Sequence, residues 1–373
     1  MRVGIHSFWM DDKPAGIGNY TGNLVKHFIQ QGRAENLFLI HEKDTGNELY
    51  KKTNNIINPF LSPRQLQCLG VPCALKNYQI DIFHCVQPFY QDFLPFYINK
   101  NVKKVLTLHD LSTLLCPETH TATSVRLINF IIKRIKERSE KIITVSEHSR
   151  RDLITYLHIP EDRISVIYNA ADERFRPILP DESDKQRLEQ KYRIAGSFIL
   201  FVGTLEARKN IPALLRAFHK IRSRIDQKLV IVGNKGWKYE EIFTLVDSLN
   251  LHHDVIFTGY VPDSDLPLLY NLADIFVYPS LYEGFGLPLV EAMACGTPVI
   301  SSHVSSIPEV VGKAGILVDP LNTDQLADAM ENLLCDENYR KELGNAGIRR
   351  SKLFSWEKTA QQTWSVYEEI MQV

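Results

Sequence analysis

The chain has 373 residues, 44% of them apolar and 23% charged, and a formal net charge of −1. That length fits two ordinary domains better than one, and a chain without a basic excess is not built as a nucleic-acid binder. The six cysteines, Cys68, Cys73, Cys85, Cys116, Cys295 and Cys335, form no C-x-x-C pair and stand beside no histidine cluster, which argues against a zinc site or a disulfide framework and for a reducing cytoplasm.

The near-neutral total is unevenly spread. Residues 1–170 hold 21 Lys/Arg against 16 Asp/Glu, a net of +5, so the remainder carries −6. An N-terminal half of this sign suits an anionic neighbour, such as a membrane surface or a phosphate-bearing acceptor. The opening MRVGIHSFW lacks the apolar core of a secretory leader, and no apolar run approaches the roughly 18–20 residues needed to cross a bilayer. The expected location is cytoplasmic, with any membrane contact peripheral, on the inner face of the plasma membrane.

Short β-branched runs predict strands over 2–5, 37–41, 81–84, 104–109, 141–146 and 164–169. After the first comes Gly16-Ile17-Gly18-Asn19-Tyr20, leading to a helix over 23–30. A G-x-G turn between strand and helix is placed to approach a phosphate. The MDDKPAG stretch before it reads as an acceptor-side loop. His109, at the end of the fourth run, occupies a position where side chains reach a ligand, and a general-base role is open to it. Asp110 either contacts an acceptor or caps the next helix. A helix is predicted over 125–136. Across 126–141, Leu127, Ile128, Phe130, Ile131, Ile132 and Ile135 are mixed with six basic residues. That pattern fits a helix with one buried and one solvated basic face, or a face resting on an anionic membrane. The sequence FRPILPDESDK, 175–185, has two prolines and a polar run, which is linker chemistry.

In the second half, strands are predicted over 198–203, 229–233, 255–259, 275–280, 298–302 and 316–319, with helices over 211–225, 239–249, 287–295, 324–334 and 338–351. KVLTL, FILFVG and KLVIVG are continuously apolar rather than alternating, as in parallel strands covered on both faces. Alternating strands and helices predict doubly wound sheets. The expected architecture is α/β: two Rossmann-like domains, 1–175 and 176–356, facing a central cleft. The aromatic-bearing tail 357–373 is expected to pack back onto the first domain.

Four motifs punctuate this half. Gly203-Thr204-Leu205-Glu206-Ala207-Arg208-Lys209-Asn210 follows a strand, with Asn210 as helix cap. Arg208 offers a planar fork and Lys209 a compact charge, a combination that suits a diphosphate leaving group. Gly233, in Val232–Gly236, and Val261, after Gly259, close two further strand ends. The strongest pattern is Glu283-Gly284-Phe285-Gly286-Leu287-Pro288-Leu289-Val290-Glu291. Its glycines allow a tight turn, Pro288 suits a first helical turn, and Gly296 followed by Pro298 stops the helix. Free amides at the helix start favour phosphate. Carboxylates accept hydrogen bonds from hydroxyls, so one glutamate can reach a sugar and the other a ribose.

With its unbroken YEGFGLPLVEAMACGTPVI from Tyr282 to Ile300, the chain resembles the group 1, or GT4, retaining glycosyltransferases of GT-B fold, whose signature is two glutamates separated by seven residues. The resemblance implies that Glu283 contacts the transferred sugar, that Glu291 binds the ribose hydroxyls, and that backbone around Phe285, Gly286 and Leu287 holds sugar and phosphates. It implies that Arg208 and Lys209 neutralise the leaving diphosphate, with Thr204 where some relatives carry an arginine. His109 then contacts the donor sugar, and the Gly16–Gly18 loop, preceded by Ala15 where many relatives have glycine, touches donor phosphate and acceptor. The region of Gly203, Gly233 and Val261 completes the donor pocket.

The implied partners are a GDP- or UDP-linked sugar, with GDP-mannose the preferred reading, and a glycan or lipid-linked acceptor of bacterial polysaccharide assembly. No D-x-D dyad is read at a strand end near the predicted donor site, and neither a metal nor another cofactor is expected. Two other enzymes of the same fold are weighed. A phosphorylase needs a far longer chain, and a sugar-nucleotide epimerase lacks the 282–300 segment. A non-catalytic nucleotide-sugar-binding subunit would have lost the four charged residues that are present here.

Overall fold

A computed structural model describes residues 1–11, 16–41, 45–57, 64–88 and 92–372. The chain divides into two compact units. One comprises 1–115, 122–169 and 355–373; the other comprises 116–121 and 170–354.

The first unit is built on a seven-stranded parallel sheet of β1 (Val3–His6), β2 (Leu37–His41), β3 (Asn54–Ile57), β4 (Ile82–Cys85), β5 (Lys103–Leu108), β6 (Lys141–Thr144) and β7 (Ile164–Val166), in the order β3-β2-β1-β4-β5-β6-β7. Every residue of β1, β2 and β4 is buried. This is the behaviour of parallel strands covered by helices on both faces. Phe83, Leu106 and Ile142 from the sheet meet Val71, Leu75, Ile131 and Ile135 from helices in one core.

The second unit has a six-stranded parallel sheet of β8 (Phe198–Val202), β9 (Lys228–Val232), β10 (Val255–Gly259), β11 (Ile275–Tyr278), β12 (Val299–Ser302) and β13 (Gly315–Val318), in the order β10-β9-β8-β11-β12-β13. The twelve strand positions predicted from the sequence are all occupied. β3 is the addition, an edge strand that pairs with β2 from Phe38↔Asn54 to His41↔Ile57.

The linker reading is corrected. The stretch 175–185 is only partly linker. Phe175 is buried and stacks edge-on against Tyr270 at 5.7 Å, and the polar run continues into the helix Glu182–Tyr192, whose first turn is capped by Asp181. Arg187 and Lys191 of this helix bind the buried carboxylate of Asp265 at 2.9 and 2.7 Å. The two compact units change over at 169/170 and 354/355, and residues 116–121 group with the second. The MDDKPAG loop and Ala15 lie largely or wholly outside the described residues.

The helix Trp356–Gln372 belongs to the first unit. Trp364 and Tyr367 pack on Phe28 with ring centroids 5.3 and 5.9 Å apart, and Trp356 packs on Tyr20 at 5.9 Å. His84 supplies the polar lock: one ring nitrogen lies 2.6 Å from the Tyr367 hydroxyl and the other 2.7 Å from Thr107 Oγ1. Burial, with His109 nearby, pushes His84 down to about 3, so it stays neutral.

Candidate functional site

Three strand ends of the second unit are laced together by their glycines. The Gly203 amide donates to Val232 O at 2.9 Å and the Gly233 amide to Gly259 O at 3.0 Å. Gly233 has φ +145°, and a Cβ there would lie 2.0 Å from the Gly203 carbonyl oxygen, so only glycine fits. After β11 the chain turns through Glu283. The Glu283 amide donates to Ser305 Oγ, and Ser306 Oγ donates to the Glu283 carbonyl, both at 2.9 Å. This glutamate is therefore pinned through its main chain. Gly286 turns the chain at φ +96°, Pro288 lies in the first turn of the helix Leu287–Cys295, and Gly296 ends it at φ +82°.

Arg208, Lys209 and Glu283 converge in one network. Lys209 Nζ donates to Glu283 Oε1 at 2.6 Å and to the Tyr278 hydroxyl at 2.7 Å, and that hydroxyl donates to the same Oε1 at 2.9 Å. Arg208 Nη1 donates to Glu283 Oε2 at 3.1 Å and to Tyr282 O at 2.7 Å, while Nη2 donates to Glu206 Oε1 at 2.8 Å. Glu206, Lys209 and Glu283 are all buried. Burial opposes the charge on Glu283, but the Lys209 and Arg208 cations prevail and hold its carboxyl down to about 2. Burial, reinforced by Arg208, pushes the Lys209 ammonium below its ordinary value. Two cations thus stand side by side at a strand end, each held by carboxylate. Asn210 departs from its expected role. It takes the left-handed conformation at the helix start and, instead of capping with its side chain, donates to Pro279 O and Pro320 O.

Glu291 sits apart from this network. Its Oε2 accepts from the Tyr270 hydroxyl at 3.0 Å. Burial pushes its carboxyl up to about 7; Asp263 and Asp172 add to the rise, and Tyr270 and Arg174 oppose it. Val261 is buried, and the buried Phe285 ring packs edge-on against Phe354 at 5.4 Å. The reading that no D-x-D dyad stands at a strand end here is corrected: Asp263-Ser264-Asp265 follows β10. Its carboxylates are held by protein cations: Asp263 pairs with Arg174, and Asp265 pairs with Arg187 and Lys191.

The remaining candidates lie in the first unit. His109 follows β5, its Nε2 3.0 Å from the Val86 carbonyl and its ring edge-on to Tyr20 at 4.7 Å. A carbonyl can only accept, so Nε2 carries the proton and Nδ1 keeps a lone pair. Burial lowers the pKa of this imidazole against the pull of Val86 and Asp110. A neutral ring with an acceptor nitrogen can hold a sugar hydroxyl. Asp110 Oδ1 accepts from the Ser112 amide at 2.8 Å and so caps the next helical turn. Gly16 opens the helix Gly16–Gln30, in which Gly18 is buried; a Cβ at Gly16 would meet nothing within 4 Å.

Comparison with known proteins decides the family. Residues 184–350 match the model "Glycosyl transferases group 1", and residues 14–175 match "Glycosyltransferase Family 4". The chain is 34% identical to O-antigen chain mannosyltransferase B of Escherichia coli over 95% of its own length and 96% of that protein. The chain belongs to the group 1 glycosyltransferases. It is also 35% identical, over 69% of its length, to the serotype-specific mannosyltransferase WbdA of Escherichia coli, of which the match spans 32%. Sucrose-phosphate synthase from Thermosynechococcus elongatus shares the fold at a TM-score of 0.82, with 22% identity and coverage of 100% and 99% of the two chains. The GT-B fold is thereby established.

The structure of this glycosyltransferase adds residues to the site that sequence patterns passed over. Tyr278 and Tyr270 each place a hydroxyl on one of the two signature glutamates. Glu206 holds the far side of Arg208, and Arg174 stands near Glu291. Both tyrosines lie within apolar stretches and read as core. A tyrosine is distinguished from a phenylalanine there by its need for a hydroxyl partner, and that need was the signal available.

Proposed function

We propose that this glycosyltransferase moves a mannosyl group from GDP-mannose to a hydroxyl of a glycan or lipid-linked acceptor, with retention at the anomeric carbon and without a required metal. The observation that carries the reading is the Arg208–Lys209–Glu283 network. Two adjacent cations on the strand-end loops of one sheet match the charge of a diphosphate leaving group. Both cations hold Glu283. An arriving diphosphate competes for them, which frees the Glu283 carboxylate to accept from hydroxyls of the bound sugar. Glu291 takes the ribose hydroxyls, and His109 accepts a sugar hydroxyl at Nδ1.

The departing diphosphate gains negative charge as the anomeric bond breaks. Arg208, Lys209 and the amides at the start of the helix Leu287–Cys295 neutralise it, a task that other enzymes give to a metal ion. The D-x-D carboxylates at Asp263 and Asp265 are already paired with cations, which supports the metal-independent reading. The mannosyl assignment rests on the relative matched from end to end, and retention rests on the family resemblance. Polysaccharide assembly also supplies a reason for peripheral attachment to a membrane through the basic stretch at 126–141. The test is transfer from GDP-mannose, set against UDP-sugars, by the wild-type chain and by Lys209→Ala.

A further inference from the structure

The carboxyl edge of the first sheet carries a buried pair that the donor chemistry leaves unused. His6 is the last residue of β1, and its Nδ1 lies 2.7 Å from Oδ1 of Asp92, which the chain brings in after β4. Both side chains are 2% exposed. β1 and β4 are neighbours, and the strand order reverses between them, with β2 and β3 beyond one and β5 to β7 beyond the other. In open parallel sheets this reversal is where the strand ends leave room for a ligand.

A carboxylate accepts and does not donate. Nδ1 of His6 therefore carries the ring proton, and in the neutral ring Nε2 holds the lone pair. The hydrogen bond of this ring to a described residue runs through Nδ1, which leaves Nε2 without a partner among them. Two neighbouring histidines differ. His84 uses both nitrogens, on Tyr367 and Thr107. His41 contacts Asn55 through one, faces Asp11 through the other, and stacks on Tyr50 at 3.9 Å. A ring lone pair that no described protein group occupies, at a strand-order reversal, is placed to accept from a ligand hydroxyl. Polarity continues beside the pair, where the Tyr50 hydroxyl donates to Asp11 Oδ1 and to Ser7 O. The Phe8 ring, 4.7 Å from that of His6, offers an apolar surface of the kind that covers a sugar face.

We propose that His6, oriented by Asp92, is an acceptor contact, with Nε2 accepting a hydrogen bond from a hydroxyl of the acceptor sugar. This rests on the reading of the chain as a glycosyltransferase whose first unit receives the acceptor. Asp92 is a positioning residue, since it acts by fixing the tautomer and direction of the ring. The pair binds the acceptor hydroxyl and removes no proton from it.

The test is steady-state kinetics of His6→Ala, His6→Gln and Asp92→Asn, with acceptor and donor varied in turn and donor hydrolysis measured without acceptor. In His6→Ala the acceptor KM rises about ten- to a hundredfold, while the donor KM and the hydrolysis rate stay within twofold of wild type. Asp92→Asn moves in the same direction by less, and His6→Gln, which keeps an acceptor oxygen, recovers part of the loss. An unchanged acceptor KM in a folded His6→Ala overturns the proposal, as does an equal rise in the donor KM. If His6→Ala fails to fold, His6→Gln and Asp92→Asn decide; if those also unfold, the pair is structural and the proposal falls. Failure of the underlying reading looks different: the wild-type chain then transfers sugar to no acceptor at all.

Discussion

Glu283 and Glu291 are the same side chain eight positions apart, and their surroundings drive them in opposite directions. Lys209 and Arg208 keep Glu283 ionised, whereas burial, with Asp263 and Asp172 adding to it, pushes Glu291 up to about 7 against the Tyr270 hydroxyl and Arg174. Only the ionised carboxylate accepts from both hydroxyls of a ribose. Below pH 7 Glu291 is mainly protonated, and above it mainly charged. Nucleoside diphosphate should therefore bind more tightly as pH rises from about 6 to 8, by up to about tenfold, the change expected when the protonated fraction falls from most to little. Calorimetry across that range checks this, and Glu291→Gln should bind weakly with no such dependence; a wild-type affinity flat in pH contradicts it. The charged residues themselves were legible because their spacing and flanking glycines are unusual. Tyr270 and Tyr278 were not, because a tyrosine inside an apolar run looks like core until its hydroxyl partner is seen.

At the scale of elements, the continuous apolar runs identified the buried strands, since parallel strands between helix layers show no alternation. The edge strand β3 begins with Asn54 and Asn55, residues depleted in strands, and its pattern gave no cue. The helix Glu182–Tyr192 buries only Leu188 and Tyr192, too few apolar positions to stand out from a polar linker. What holds it is the buried Asp265, gripped by Arg187, Lys191 and the Tyr192 hydroxyl, a contact between segments distant in sequence. Glycine roles divide along the same line. Gly16 meets open space, while Gly233 is pressed against the Gly203 carbonyl. Gly233→Ala should destabilise the second unit by about 2–4 kcal/mol, from steric conflict with backbone and from strain at positive φ. Denaturant unfolding reads this out. Gly16→Ala should change stability by less than about 1 kcal/mol, and equal effects at the two positions would refute the distinction.

At the scale of the whole molecule, the proposed roles divide between the two sheets, with the paired cations in the second unit and the His6–Asp92 pair and His109 in the first. Among the described residues no helix is long and apolar enough to cross a membrane. The first unit nevertheless exposes Ile98, Leu127 and Phe130, at 54%, 40% and 49%. Arg134 lies over the Phe130 ring at 5.0 Å and Arg138 over Tyr97 at 4.1 Å. Aromatic and aliphatic tips set among arginines suit the headgroup level of an anionic bilayer. The wild-type chain should sediment with vesicles containing anionic lipid at low salt and be released as salt rises. Phe130→Ala with Arg134→Glu should weaken binding about tenfold or more, and absence of binding at low salt would remove the membrane role. Lys209 and Arg208, paired with Glu283, are proposed to neutralise the leaving diphosphate. The most direct measurement is the rate of mannosyl transfer from GDP-mannose by wild type and by Lys209→Ala, each corrected for the folded fraction because one half of a buried ion pair is removed. The account predicts transfer by the wild type and a fall in kcat of roughly a hundred- to a thousandfold in the variant. A folded Lys209→Ala that transfers at the wild-type rate would contradict it.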